Sequence, residues 1–164
     1  MKFRQIHVYG FGKLVDTTID LHPGMQVLYA SNERGKSTLL AFIRAIFYGL
    51  GDKKNRDISN SRERYRPWIG GTWGGYIIFE HREKLMRLER IFGERKSDDK
   101  IRLFNENTGE EILRITKSQK QVGEVLLGFT PDEFNATTYI GQAPAERYFQ
   151  DRDNAVYYLS LIHI

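Results

Sequence analysis

Residues 27–40 read VLYASNERGKSTLL, and the expected fold follows from this stretch. An apolar run is followed by a short polar loop and then by residues that begin an amphipathic helix. Ala30 and the triplet Gly35-Lys36-Ser37 have the spacing of the phosphate-binding motif G-x-x-x-x-G-K-[ST], with Ala30 in place of the first glycine. The stretch therefore predicts a strand, a phosphate-binding loop and a helix.

The spacing of this motif suits the chemistry of phosphate binding. A loop of this length turns backbone N–H groups inward, and the following helix directs its N-terminal N–H groups and positive dipole end to the same spot. Lys36 can reach the β- and γ-phosphates, the Ser37 hydroxyl can bind Mg²⁺, and Gly35 lets the backbone approach closely. The predicted binding residues are Ala30, Ser31, Asn32, Glu33, Arg34, Gly35, Lys36, Ser37 and Thr38.

Composition limits the class of protein. A chain of 164 residues is one domain or a piece of a larger one, and its net charge of +4 is compatible with polyanionic partners. The absence of cysteine excludes disulfides and Cys-based metal sites, and the four histidines show no ligand spacing. Because there is neither a signal peptide nor an apolar run of the ~20 residues that span a bilayer, we expect a cytoplasmic protein with no membrane partner.

Periodicity along the chain predicts the remaining elements. Two strands are expected within residues 3–21, followed by a buried central strand over Met25–Tyr29. The helix after the loop ends at Gly49 to Gly51. Further elements are an antiparallel meander over residues 68–102 that leads into a strand at 101–104, and a further short strand at 112–115. A helix over 118–127, a short helix begun by Thr130 and Pro131, a strand over 137–140 and a helix over 143–158 follow.

Residues 52–67 form a basic segment with few apolar side chains. Such a segment is either a solvated loop or a contact for a polyanion, which here would be ATP phosphate or nucleic acid. The sequence leaves both interpretations open. The candidate contact residues are Lys53, Lys54, Arg62, Arg64 and Arg66.

Three short motifs carry a resemblance to a known family. They are the turn Gly10-Phe11-Gly12-Lys13, the loop from Asn32 to Thr38, and Tyr139-Ile140-Gly141-Gln142 after the meander. Together they resemble the N-terminal half of an SMC-like, ABC-type ATPase head of the SbcC-like and YhaN-like AAA-family ATPases. The resemblance implies an α/β P-loop NTPase fold, with a mixed sheet and an antiparallel meander, for an N-terminal lobe spanning residues 1–158. The apolar residues 159–164 do not suit a coiled-coil arm and suggest a non-native or truncated tail.

The same resemblance implies ATP and Mg²⁺ as cofactors. Gln142 corresponds to the glutamine that shares Mg²⁺ with Ser37 and orients the attacking water, so Lys36 and Gln142 are the implied catalytic residues. Asn32 is expected to face the γ-phosphate.

Hydrolysis needs parts that these residues do not supply. No acidic residue follows a suitable hydrophobic strand, and no Leu-Ser-Gly-Gly signature is present. The resemblance therefore implies that hydrolysis requires a C-terminal lobe and a second head, that this chain alone is inactive, and that DNA and a nuclease are partners in DNA repair. The alternatives are a stand-alone P-loop kinase, against which the β-meander argues, and a non-catalytic nucleic-acid-binding module.

Overall fold

The computed structural model describes residues 1–31, 34–51, 62–115 and 122–138. The strands are β1 (Lys2–Phe11), β2 (Leu14–Asp20), β3 (Gly74–His81), β4 (Lys84–Ile91), β5 (Lys100–Asn105) and β6 (Glu111–Ile115). The helices are α1 (Lys36–Tyr48), α2 (Arg62–Tyr65), α3 (Val122–Leu127) and α4 (Pro131–Thr137), and a 3₁₀ turn covers Lys96–Asp98.

The six strands form one open sheet in the order β2-β1-β3-β4-β5-β6, and every neighbouring pair is antiparallel. The predicted strand pair and meander are thereby confirmed. The register aligns Ile6 with Ile77, Ile77 with Leu88, and Leu88 with Leu103, so one apolar row crosses four strands. Because side chains alternate along a strand, this row defines a single inner face.

Helix α1 covers that inner face with its apolar side. Phe42, Ile46 and Phe47 are fully buried, and the Phe47 ring lies 6.0 Å from the ring of Phe79 on β3. The helix ends where Gly49 takes a left-handed φ of 79° and its N–H donates to the Ala45 carbonyl, as the sequence predicted. The core therefore fixes α1 against the sheet.

The predicted central strand over Met25–Tyr29 is wrong for the described structure. These residues have no regular structure, and the side chains of Met25, Val27 and Tyr29 are 91%, 77% and 95% exposed. A strand needs a neighbour for its backbone hydrogen bonds, and no strand of the described residues pairs with this segment. The same finding corrects the expected mixed sheet, because the described sheet contains no parallel pair.

Helices α3 and α4 pack beside α1. The Tyr48 hydroxyl donates to the Phe129 carbonyl at 2.9 Å, and Arg44 Nε donates to Asn135 Oδ1 at 2.8 Å. The predicted capping box of α4 is confirmed by hydrogen bonds in both directions between Thr130 and Glu133.

The end of α4 corrects one further prediction. The sequence suggested that residues 137–140 return to a strand, but Thr137 is the last residue of α4 and the Thr138 N–H donates to the Phe134 carbonyl. The remaining two residues of that predicted strand lie outside the described part of the chain.

Candidate functional site

The loop before α1 ends in a backbone conformation that turns the chain sharply into the helix. Gly35 has φ +97°, and the Leu39 N–H donates to the Gly35 carbonyl at 2.8 Å, which closes the first helical turn. Gly35 carries no side chain that could cap the helix, and the first turn has no acidic residue. Among the described residues no side chain accepts from the first N–H groups of α1, so these donors face the loop.

The neighbouring side chains also leave little room for a side chain at position 35. A Cβ at this position would lie 2.8 Å from Leu14 Cδ2 and 3.7 Å from Lys13 Cε. The turn between β1 and β2 therefore lies directly against the loop, and the positively charged end of Lys13 extends from that contact. Both the left-handed φ and the close approach of Leu14 favour glycine at this position.

The Lys36 side chain bends back over the loop. Its ammonium donates to the Ala30 carbonyl and, at 3.0 Å, to the Ser31 carbonyl. An ammonium has three N–H donors, so one remains for a further acceptor. The geometry holds a positive charge at the mouth of the loop, next to the unfilled N–H groups of the helix.

The next two residues of α1 differ in their surroundings. Ser37 is exposed, so its hydroxyl is open to a ligand. Thr38 is half-buried, and its Cγ2 lies 3.3 Å from the point where Gly12 would carry a Cβ. In the described ranges no group of three or more His, Asp or Glu side chains could hold a metal ion.

The basic segment divides into residues with different environments. Arg62 is buried and pairs with Asp99 at 2.9 Å, so its guanidinium is engaged inside the protein. Arg66 is exposed and pairs with Glu94. Arg64 is also exposed, and its guanidinium carbon lies 5.8 Å from the centroid of the Tyr65 ring.

The predicted site residues are only partly brought together. Ala30, Ser31, Arg34, Gly35, Lys36, Ser37 and Thr38 line one loop and helix start. Lys53, Lys54, Asn32, Glu33 and Gln142 lie outside the described residues, so their roles stay predictions.

Sequence reasoning missed Lys13 as a neighbour of the loop. The sequence indicates a turn at Gly10-Phe11-Gly12 and includes Lys13 in the resemblance, but it does not show that Lys13 lies against Gly35. The two residues are 22 positions apart, and only the pairing of β1 with β2 beneath α1 brings them together.

Within the described ranges no helix is both long and apolar enough to cross a membrane.

Comparison with known proteins identifies the family. A family model described as an AAA domain matches residues 5–155. The chain belongs to this AAA-domain family. The AAA domain is 30% identical over 108 residues to the uncharacterized protein YhaN of Bacillus subtilis, and 29% identical over 153 residues to the DNA double-strand break repair Rad50 ATPase of Sulfolobus acidocaldarius. These matches confirm the resemblance to an SMC-like, SbcC-like and YhaN-like ATPase head.

The matches differ in extent. The alignment with YhaN covers 65% of this chain and 10% of YhaN, and that with the Rad50 ATPase covers 92% of this chain and 16% of the relative. The aligned part of the AAA domain thus spans between a tenth and a sixth of the length of these curated relatives.

Proposed function

We propose that this AAA domain binds ATP as one half-site of a DNA-repair ATPase. The triphosphate lies on the loop from Ala30 to Thr38, Lys36 binds the β- and γ-phosphates, and Ser37 and Gln142 hold Mg²⁺. Mg²⁺, when bound, neutralises charge that develops on the phosphate oxygens. The fold proposed for residues 1–158 is the N-terminal lobe of a P-loop NTPase head.

The observation that carries the proposal is the geometry around Gly35. A left-handed glycine, an exposed lysine and the uncapped N-terminus of a 13-residue helix meet at one point. Backbone N–H groups and an ammonium together favour an anion with several oxygens. The residues present therefore suit the polyphosphate of a nucleotide.

The exposed segment Met25–Tyr29 supports the half-site part of the proposal. Apolar residues directly before the loop lie open to solvent, although the motif expects a buried strand there. We propose that strands of a C-terminal lobe cover this segment, and that hydrolysis needs that lobe and a second head in a homodimer. The catalytic carboxylate would come from there, with Lys36 and Gln142 acting from this chain.

DNA and a nuclease are the proposed macromolecular partners. The support is the likeness to a relative whose name describes a DNA double-strand break repair ATPase. In the basic segment, the proposed polyanion contacts are Lys53, Lys54, Arg64 and Arg66. Arg62 is left out of this set because its guanidinium is paired with Asp99 inside the protein. The antiparallel pairing of all six described strands makes a stand-alone kinase less suitable, because such kinases alternate strands with helices around a parallel sheet.

The test is calorimetric titration of the 164-residue chain with Mg²⁺-ATP. We expect weak binding, and Lys36→Ala should reduce the affinity by about tenfold or more, because it removes a charge-assisted contact. Lys84→Ala, at the exposed first residue of β4, is the matched control and should bind like the wild type. Equal affinity of the Lys36→Ala variant would contradict phosphate binding at the loop.

A turnover assay tests the half-site separately. The chain alone should hydrolyse ATP negligibly. Hydrolysis at an ordinary enzymatic rate that Lys36→Ala abolishes would show that the site is complete within these residues.

A further inference from the structure

The turn after α2 is joined to the phosphate-binding loop through Gly12. The Gly12 N–H donates to the Tyr65 carbonyl at 2.8 Å, and the Trp68 N–H donates to the Gly12 carbonyl at 3.1 Å. Gly12 in turn lies against Thr38 in the first turn of α1, at 3.3 Å from the position of a Cβ. Gly12 therefore lies between residues 65–68 and the first turn of α1, the helix that carries Lys36.

The base of this turn is firmly packed. Tyr65 is buried and stacks on Phe11 with ring centroids 4.7 Å apart. Pro67 Cγ lies 3.0 Å from the point where Gly10 would carry a Cβ, so the chain runs directly over the end of β1. These contacts fix where the turn leaves the core.

The tip of the turn is open and apolar. The Trp68 side chain is 75% exposed and Ile69 is 84% exposed, whereas the second tryptophan of the chain, Trp73, is 9% exposed. Gly70 and Gly71 follow, with φ values of +78° and +90° and no atom within 4 Å of a Cβ at either position. A large aromatic ring is thus presented to solvent beside the phosphate site.

Two basic residues border the loop and the turn. Lys13 Cε lies 3.7 Å from the position of a Gly35 Cβ, and on α2 the exposed Arg64 has its guanidinium carbon 5.8 Å from the centroid of the Tyr65 ring. A nucleotide with its phosphates at Lys36 would run past these cations toward the turn. The arrangement therefore has a phosphate end at α1 and an aromatic end at Trp68.

We propose that Trp68 is the platform on which the nucleobase stacks. The inference rests on the proposed function, because it takes the triphosphate on the loop as given. An indole offers a broad π-face, and stacking is tolerant of base identity because every base has a π-face. Trp68 thus adds affinity for nucleotides over inorganic polyphosphate and discriminates little between adenine and guanine.

A comparison of two ligands distinguishes the contribution of the base to binding from that of the phosphates. The intact chain is titrated with ATP and with inorganic tripolyphosphate, following tryptophan emission and heat. ATP should quench the emission of exposed Trp68, while tripolyphosphate should bind with heat but without quenching, because it has no base. The quenching should disappear in Trp68→Phe and persist in Trp73→Phe.

The affinities of Trp68→Ala and Trp68→Phe for ATP and for tripolyphosphate give a second test. Trp68→Ala should weaken ATP binding about tenfold and leave tripolyphosphate affinity within about twofold, whereas Trp68→Phe should keep most of the ATP affinity. Ile69→Ala is the matched control, because it removes an equally exposed apolar side chain without a ring. Its ATP affinity should equal that of the wild type.

The failures of the two proposals look different. If wild-type chain binds neither ATP nor tripolyphosphate, the phosphate site itself is refuted and the platform with it. If both ligands bind but Trp68→Ala changes neither affinity, or lowers both equally, the platform is refuted while the phosphate site stands. Circular dichroism of each variant checks that the fold is retained, and Trp68→Phe decides the matter if Trp68→Ala does not fold.

Discussion

The Asp99 carboxylate lies 2.9 Å from the Arg62 guanidinium, and both side chains are almost completely buried. Arg90 approaches the same carboxylate at 3.6 Å, and the Gly93 N–H donates to it at 3.1 Å. Burial lowers the pKa of Arg90 to about 10, and Asp99 opposes that shift. One carboxylate thus joins the end of the basic segment to the turn between β4 and β5.

Asp99→Asn should destabilise the protein by about 3–5 kcal/mol, because it removes the charge that compensates buried guanidinium groups. Urea unfolding followed by circular dichroism measures this change. Asp98→Asn is the control, since Asp98 is its exposed neighbour and should cost less than about 1 kcal/mol. Equal losses for the two variants would show that the buried ion pair is not important for stability.

Gly35→Ala should destabilise the protein more than Gly24→Ala. The two glycines have nearly the same φ, +97° and +95°, but a Cβ on Gly35 meets Leu14 whereas a Cβ on Gly24 has no neighbour within 4 Å. Gly24→Ala therefore reports the backbone cost alone, about 1 kcal/mol, and the excess at Gly35 reports the contact with the β1–β2 turn. Thermal unfolding of both variants gives the comparison.

A double variant sharpens this test. Adding Leu14→Ala to Gly35→Ala removes the opposing side chain, so the excess cost should shrink while the backbone cost remains. The contact interpretation fails if Leu14→Ala and Gly35→Ala lower the stability additively.

Tyr48→Phe should change how stability depends on alkaline pH. Burial raises the pKa of Tyr48 from 10.0 to about 12, with smaller contributions from Glu124 and Glu133. Above pH 10 the unfolded chain loses this proton while the folded chain keeps it, so the stabilisation by Tyr48 is complete below pH 10 and is lost as the pH rises toward 12. The phenylalanine variant lacks this loss.

The measurement is urea unfolding between pH 8 and the alkaline limit of the fold. Near pH 8 the variant should be less stable by about 1 kcal/mol, because the hydrogen bond to the Phe129 carbonyl is gone. The difference should shrink above pH 10. Tyr29→Phe, at an exposed position, is the control and should be about as stable as the wild type near pH 8.

Neutralising Lys53 and Lys54 should weaken binding of the chain to duplex DNA and make it less sensitive to salt. Removal of two phosphate contacts flattens the slope of log affinity against log salt by about 1.8. The double variant Lys53→Gln/Lys54→Gln is compared with Lys2→Gln/Lys84→Gln, which carries the same change in charge on β1 and β4. Identical slopes for the two variants would show that Lys53 and Lys54 do not contact DNA phosphates.

Local patterns predicted much of the fold. The alternation around Ile77 and Leu88, the Thr130 capping box and the Gly49 helix end are each encoded within a few residues, and each is confirmed. Periodicity predicts such elements because neighbouring side chains decide which face is buried.

The error at Met25–Tyr29 has a different origin. An apolar run predicts a buried strand only if a partner strand exists, and backbone pairing depends on residues elsewhere. The sequence shows that this segment tends to form a strand, but no described strand pairs with it.

The sequence by itself determined the motif Gly35-Lys36-Ser37 and the prediction that it binds phosphate, since these residues must be consecutive to turn a loop into a helix start. Tertiary structure alone decided what surrounds that loop. Lys13, Trp68 and the Asp99–Arg62 pair are brought to their positions by strand pairing and by the packing of α1 on the sheet. Contacts between residues far apart in the chain have no local pattern, because they depend on which strands pair and on how α1 packs against the sheet.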